Sequence, residues 1–185
     1  ALVESEKGTY DGAAIASRTP EREKVYYFSE PIMTVEKVFF HLKTYEFDWK
    51  SIEDLIGIKI GVGRGNVYGK EFQDAWQSGK LTVEEVPPTM KQNFKKLLSG
   101  RIKLYPTEFD AGMLYLKDNF ASQYDLVTYN TKPIQTVTYH LMLSKKIARN
   151  KEMVERFNIG LRKLKDNGKD KQYLEESLQG KYKVE

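Results

Sequence analysis

Short strand-like runs alternate with helix-like segments through the middle of the chain, and this order restricts the fold more than any other feature. The strand-like runs are short and largely apolar, and they cover residues 59–62, 81–86 and 102–105. Each is followed by a residue typical of a helix N-cap, namely Asn66, Thr89 and Thr107. A repeated strand-helix order favours a parallel sheet with right-handed crossovers, so the sequence predicts an α/β fold.

Longer strands and a helical end flank this region. Residues 10–16 and 35–42 are predicted strands, and between them Thr19 precedes a proline at the favoured first position of a helical turn. Residues 136–143 are predicted to form a further strand. The last fifth of the chain is predicted to be helical, with a break at residues 167–168 where Asn is followed by Gly.

The composition excludes several classes of protein. No apolar stretch approaches the roughly 20 residues of a transmembrane helix, so the chain is not expected to span a membrane. Cysteine is absent, which removes disulfides, thiol nucleophiles and cysteine-bound zinc. The 185 residues carry a formal net charge of +4 with acidic and basic residues intermixed, which indicates a solvated mixed surface and no nucleic-acid partner.

The sequence lacks motifs for catalysis and for metal binding. The two histidines, His41 and His140, lie in predicted strands among apolar neighbours, where a packed and hydrogen-bonded imidazole is favoured over a catalytic or metal-binding one. Neither an HExxH motif nor a Walker-type lysine occurs. We therefore predict a protein that is not an enzyme and that binds neither a metal nor a cofactor.

A glycine-rich segment, GVGRGN at residues 61–66, joins a predicted strand to the next predicted helix. Free backbone N–H groups and the helix dipole at such a junction favour a small anion such as a carboxylate. The spacing is not GxGxxG, which disfavours a dinucleotide. The alternative is structural, because a tight strand-to-helix turn also needs glycines.

Arg22 is the second candidate for anion binding. It follows the turn that begins at Pro20, just after the predicted strand that leads into Ser17. A guanidinium beside a hydroxyl can clamp a carboxylate through two parallel hydrogen bonds. The alternative is an ordinary surface arginine, and the residue pattern alone leaves both open.

The run from Gly8 to Pro31 carries a more specific signal. Its core, YDGAAIAS followed by TPER and FSEP, resembles the signature of family 3 bacterial solute-binding proteins, the type II periplasmic binding proteins for amino acids and related solutes. Later segments follow in the family's order: the strand at 35–42, then SIEDLIGIKIGVGRGN, then LLSGRIKLYPTE. The resemblance covers essentially all 185 residues.

The resemblance implies two α/β lobes joined by two hinge strands, closing around a small solute that stabilises the closed state. Lobe 1 would comprise residues 1–42 and 129–185, and lobe 2 residues 43–128. Family members open with a β-α-β unit ahead of anything that matches Leu2 onward. The expected fold is therefore a two-lobed type II periplasmic-binding-protein fold that is N-terminally truncated.

The same resemblance implies ligand-binding roles in lobe 1. Arg22 would hold the α-carboxylate of an amino acid, and Ser17 would assist it. The backbone carbonyl near Ile15 would accept a hydrogen bond from the ammonium group.

In lobe 2 the resemblance implies a second half of the site. Gly65 and Asn66, with Arg64 beside them, would complete the carboxylate site at a helix N-terminus. Val67 stands where the family commonly has a hydroxyl donor, so that bond is lost unless the Asn66 amide replaces it. Glu108 would face the ammonium, and it is longer than the more usual aspartate.

The expected function is extracytoplasmic, periplasmic binding of an amino acid or related carboxylate. The partners would be the small-molecule solute and either the membrane subunits of an ABC importer or a sensor kinase or cyclase module. The alternative is a dehydratase-like enzyme of the same fold with Glu108 as general acid, which would need a raised pKa for that carboxyl. An effector domain of a transcription regulator fits less well because no helix-turn-helix segment is present.

Overall fold

The computed structural model describes residues 10–86 and 89–182. The strands are β1 (Gly12–Ser17), β2 (Tyr26–Phe28), β3 (Met33–Leu42), β4 (Ile60–Gly63), β5 (Val83–Val86), β6 (Tyr105–Glu108), β7 (Val127–Tyr129) and β8 (Gln135–Ser144). The helices are α1 (Pro20–Val25), α2 (Lys70–Gln77), α3 (Met90–Leu98), α4 (Phe109–Asn119), α5 (Asn150–Asp166) and α6 (Lys169–Leu178), with short 3-10 helices at Ile52–Leu55 and Ala121–Leu126.

The chain forms two compact units. The first unit comprises Ala1–Thr34 and Val137–Glu185, and the second comprises Val35–Thr136. The chain passes from one to the other within β3 and returns within β8. The predicted lobe boundaries, with lobe 2 at 43–128, stay a prediction. None of the helices in the described part of the chain has the length and apolar character that a membrane span requires.

In the first unit, β1 and β2 both pair antiparallel with β8. Ala16, Tyr26 and Met142 form the buried core between these strands. On α5, Val154 and Leu161 are buried seven residues apart, which places them on one face of the helix. The helical end breaks where predicted, because Gly168 has a left-handed backbone that separates α5 from α6.

In the second unit, β3 pairs antiparallel with β6 and β7, while β4 pairs parallel with β5 and reaches Leu104 through a parallel bridge at Ile60. Successive residues of β3 point to opposite faces. Phe39 therefore joins one apolar cluster, and Val38 and Phe40 join another. Both faces of β3 are covered at residues 38–40, which explains the continuous apolar run VFF there.

The predicted elements are mostly present, with two corrections to the strand-helix alternation. The strand predicted at 102–105 is β6 instead, because its pairing with β3 runs from Tyr105 to Glu108, and the next helix begins at Phe109 rather than after Thr107. The parallel order holds for β4 and β5 and continues at the bridge between Ile60 and Leu104, whereas β6 pairs antiparallel with β3. The helix after the glycine-rich segment also begins later than predicted, at Lys70.

Both histidines are buried and hydrogen-bonded, as predicted. The Nδ1 atom of His41 lies 3.0 Å from the carbonyl oxygens of Leu42 and Tyr45. The Nδ1 atom of His140 lies 2.8 Å from the carbonyl oxygen of Ser29. These contacts account for both imidazoles as structural groups.

Glu84 on β5 joins the strand to α3 and to the loop that follows it. Its Oε1 atom accepts hydrogen bonds from Lys96 Nζ and Arg101 Nη2, both at 2.7 Å, and Lys59 lies 3.8 Å from Oε2. The hydrogen bond from Lys96 is the main cause that lowers the pKa of the Glu84 carboxyl, with further attraction from Arg101 and Lys59.

We expect Glu84→Gln to lower the melting temperature at neutral pH, with the difference from the native chain shrinking as the pH falls. A carboxyl with a lowered folded-state pKa stabilises the fold above its unfolded-state pKa, and that contribution is lost as the pH falls through the folded-state value. Thermal unfolding of both proteins at several pH values between neutral and strongly acidic measures this. A difference that stays constant across the series would contradict the prediction.

Candidate ligand-binding site

Arg22 and Ser17 meet in the first unit. The strand β1 ends at Ser17, and α1 begins after Thr19, whose Oγ1 atom accepts a hydrogen bond from the N–H of Arg22 at 3.3 Å. The Nη1 atom of Arg22 donates to the carbonyl oxygen of Ser17 at 2.8 Å and to its Oγ atom at 2.9 Å. Both side chains are half-buried. The pairing of guanidinium and hydroxyl is present, and its role as a carboxylate clamp stays a prediction.

Only one nitrogen of this guanidinium is engaged within the described residues. Across residues 10–86 and 89–182, Nε and Nη2 of Arg22 make no hydrogen bond. A guanidinium carries five N–H donors in a fixed planar fork. A group held through Nη1 therefore keeps donors whose geometry matches the two oxygens of a carboxylate.

Ile15 lies in an irregular part of β1. The register of β1 against β8 shifts between Ala13 and Ala16, which brackets Ile15. Ile15 is 53% exposed, so its side chain does not belong to the core of the unit. Such bulges redirect backbone groups and are common beside binding sites. The role of the Ile15 carbonyl in ligand binding stays a prediction.

In the second unit, three backbone N–H groups of the glycine-rich segment donate hydrogen bonds within the chain. The N–H of Gly63 donates to Tyr68 Oη at 2.8 Å, the N–H of Arg64 to the carbonyl of Val86 at 2.8 Å, and the N–H of Asn66 to the carbonyl of Gly63 at 3.1 Å. These bonds support the structural interpretation of the glycines as turn residues.

The helix after this segment begins later than predicted. Residues 66–69 are neither helix nor strand, and α2 starts at Lys70 after Gly69. Asn66 as the N-cap is therefore wrong. The reason is backbone geometry, because Gly65 and Gly69 have φ angles of 76° and 86°, which break a helix on either side of Asn66. The proposed ligand roles of Arg64, Gly65 and Asn66 stay predictions.

The buried Tyr68 side chain holds this loop through hydrogen bonds. Its side chain is 1% exposed, and its Oη atom also accepts a hydrogen bond from Asn66 Nδ2 at 3.3 Å. Val67 lies beside it with 60% exposure, and its carbonyl oxygen accepts a hydrogen bond from Lys37 Nζ. The predicted ligand contact of Val67 stays a prediction.

The second unit contains a cavity of about 270 Å³ that is lined in part by Tyr68. Its lining residues come from β3, the end of β4, the loop before α2, the start of α3, and β6: Lys37, Gly63, Asn66, Tyr68, Thr89, Met90, Tyr105, Pro106, Thr107 and Glu108. Two of the predicted site residues, Asn66 and Glu108, therefore line one cavity. Arg64, Gly65 and Val67 do not line it.

The charge of this cavity comes from Lys37 and Glu108 among its described lining residues. They are register partners in the pairing of β3 with β6. Burial lowers the pKa of the Lys37 ammonium, and the Glu108 carboxylate acts in the opposite direction. Burial raises the pKa of Tyr68, and it raises that of Tyr105 to about 12, so both phenols are neutral at pH 7.

The chain matches known proteins in structure but not in sequence. No family model matches the chain, and no curated protein matches it in sequence. Among solved structures, the substrate-binding protein AbpA of an amino acid ABC transporter from Streptococcus pneumoniae, bound to L-arginine, matches 99% of this chain and 74% of its own, with a TM-score of 0.71 at 22% identity.

Two further solved structures have a similar fold. The GluR0 ligand-binding core in complex with L-glutamate matches 96% of this chain and 76% of its own at 16% identity, with a TM-score of 0.71. An ancestral arginine-binding protein bound to arginine matches 95% and 74% at 23% identity, with a TM-score of 0.67. The chain has the fold of the two-lobed amino-acid-binding proteins. The predicted α/β type II binding-protein fold is thereby confirmed.

Within this binding-protein fold, sequence reasoning missed Lys37 and Tyr68. Lys37 lies on the same face of β3 as Val35 and Phe39, which are both buried. A charged residue on a buried face of a strand is a signal that the sequence already contained. Tyr68 had no comparable signal, because its contact with Gly63 depends on the turn between them.

Proposed function

We propose that the chain binds an amino acid or a closely related small carboxylate and delivers it to the membrane subunits of an ABC importer. The observation that carries this proposal is the Arg22 guanidinium anchored on Ser17, in a fold whose solved examples hold arginine or glutamate. An α-carboxylate is the group that the remaining donors of such a guanidinium fit best. An extracytoplasmic location is part of the same proposal.

Binding without catalysis is the second part of the proposal. The solved neighbours are named as binding proteins, and nothing in them favours the dehydratase-like alternative. Glu108, the residue on which that alternative depends, is the register partner of Lys37 on the neighbouring strand.

A thermal-shift screen of the 185-residue chain against single amino acids and small organic acids tests the proposal. A ligand at about 100 times its dissociation constant adds about 2.7 kcal/mol of stability, which raises the melting temperature of a protein of this size by about 5 °C or more. We expect at least one amino acid to produce such a shift. Mass spectrometry should recover that amino acid unchanged after prolonged incubation.

Two results would contradict the proposal. One is the absence of any shift across the amino acids at millimolar concentration. The other is conversion of the stabilising compound to a product, which would favour the enzyme instead.

A further inference from the structure

The cavity of the second unit already holds a cation, which is supplied by the chain itself. The Nζ atom of Lys37 donates a hydrogen bond to the carbonyl oxygen of Val67 and lies 5.4 Å from the centroid of the Tyr68 ring. A cation within about 6 Å of an aromatic face is attracted by the negative charge of that face. The ammonium of Lys37 thus has a carbonyl and a ring as partners.

The surroundings keep this ammonium in place. Tyr68 cannot turn away easily, because its side chain is buried and its Oη atom is bonded to the N–H of Gly63. The Glu108 carboxylate lies on the neighbouring strand as the register partner of Lys37. A carbonyl oxygen, an aromatic face and a carboxylate together are groups suited to a cation.

We propose that Lys37, rather than the solute ammonium that the resemblance places against Glu108, fills the cation position of this cavity, so that the part of the solute admitted there is neutral or anionic rather than cationic. This inference rests on the proposed function, and it names the class of solute within it. A guest ammonium or guanidinium would compete with Lys37 for the same partners and would meet a like charge in a cavity of about 270 Å³. Lys37 and Glu108 carry opposite formal charges, so the described lining has no formal net charge to attract a cation.

The inference is tested by comparing a cationic with a neutral amino acid of similar length. Isothermal titration calorimetry with L-arginine and L-glutamine is applied to the 185-residue chain and to Lys37→Met. We expect the native chain to favour glutamine, and Lys37→Met to increase the ratio of arginine affinity to glutamine affinity by about tenfold or more, because a cation site with one net negative charge becomes free.

Two control variants separate the position of the charge from its presence. Lys37→Arg keeps the cation and should preserve the preference for glutamine. Lys95→Met removes the same charge from an exposed position on α3 outside the cavity, and it should leave the ratio unchanged. An unchanged ratio in Lys37→Met, or a native chain that favours arginine, would overturn the inference.

A measurement without any solute distinguishes failure of this inference from failure of the proposed function. The ring of Tyr68 should shift the ε-methylene protons of Lys37 upfield in the NMR spectrum of lysine-labelled protein, and the shifted signal should vanish in Lys37→Arg. If no lysine signal is shifted, Lys37 does not occupy the cation position and the inference is wrong. If the signal is shifted but no amino acid binds, the position of Lys37 is supported and only the proposed function fails.

Discussion

Arg22→Ala is expected to weaken binding of the amino-acid ligand by more than about 100-fold, a loss of about 3 kcal/mol or more. The guanidinium is fixed by two hydrogen bonds from Nη1 to Ser17, at 2.8 and 2.9 Å, and is proposed to hold the ligand carboxylate with its other donors. Removing it leaves a partly desolvated carboxylate without its counter-charge, which costs more than the loss of a neutral hydrogen bond. Titration calorimetry with the best ligand of the thermal-shift screen measures the change.

Three further variants test whether the loss of affinity in Arg22→Ala comes from the guanidinium itself. Arg22→Lys keeps the charge but not the planar fork, so its affinity should lie between those of the native chain and Arg22→Ala. Ser17→Ala removes one acceptor while the carbonyl at 2.8 Å remains, so a loss of about 1 kcal/mol is expected. Arg149→Ala removes an exposed arginine of the same unit that pairs with Asp11 at 3.0 Å, and it should bind normally. Normal binding by a folded Arg22→Ala protein would rule out the proposed carboxylate clamp.

The elements with complete local signals were predictable from the sequence. Thr19 followed by Pro20 is both an N-cap and a favoured first helical residue, and the structure places α1 there. The break at Gly168 is another local signal, since glycine accepts the left-handed backbone at little cost. Strands β3 and β8 were predictable because each is rich in branched and aromatic residues.

The features that depend on distant partners were not predictable. Helix α2 begins at Lys70 and not after Asn66, because Gly65 and Gly69 have positive φ angles and the Tyr68 side chain bonds back to Gly63. The bounds of β6 follow from its pairing with β3 rather than from its own residues. Local patterns predict which residues can begin an element, but tertiary contacts select among them.

The candidate site likewise has one feature that the sequence indicated and one that it did not. The proximity of Arg22 to Ser17 follows from five residues of sequence and one turn, so the sequence indicated it. The environment of Lys37 requires β6 beside β3 and the loop that carries Val67, which come from separate parts of the chain. A single lysine in a strand shows none of this until the strands are paired.

Phe94→Ala is expected to cause the largest loss of stability, about 3–5 kcal/mol of the free energy of unfolding. Phe94 on α3 is fully buried in the second unit. Its ring meets Tyr105 edge to face at 5.0 Å and Phe40 at 5.7 Å, and it stacks against Tyr115 at 6.0 Å. Truncation therefore leaves a cavity and also removes aromatic pairs that add to the energy of burial.

Urea unfolding followed by tryptophan fluorescence measures this loss, because Trp49 and Trp76 both belong to the second unit, as Phe94 does. The midpoint should fall while the slope stays constant, since a change in slope would mean that the surface exposed on unfolding had changed. Phe94→Leu keeps most of the buried volume and should lose less. Tyr173→Ala removes an exposed ring on α6 and should change stability by about 0.5 kcal/mol or less. If Phe94→Ala lost no more than Tyr173→Ala, the aromatic cluster around α3 would not be the core that holds β3 and β6 together.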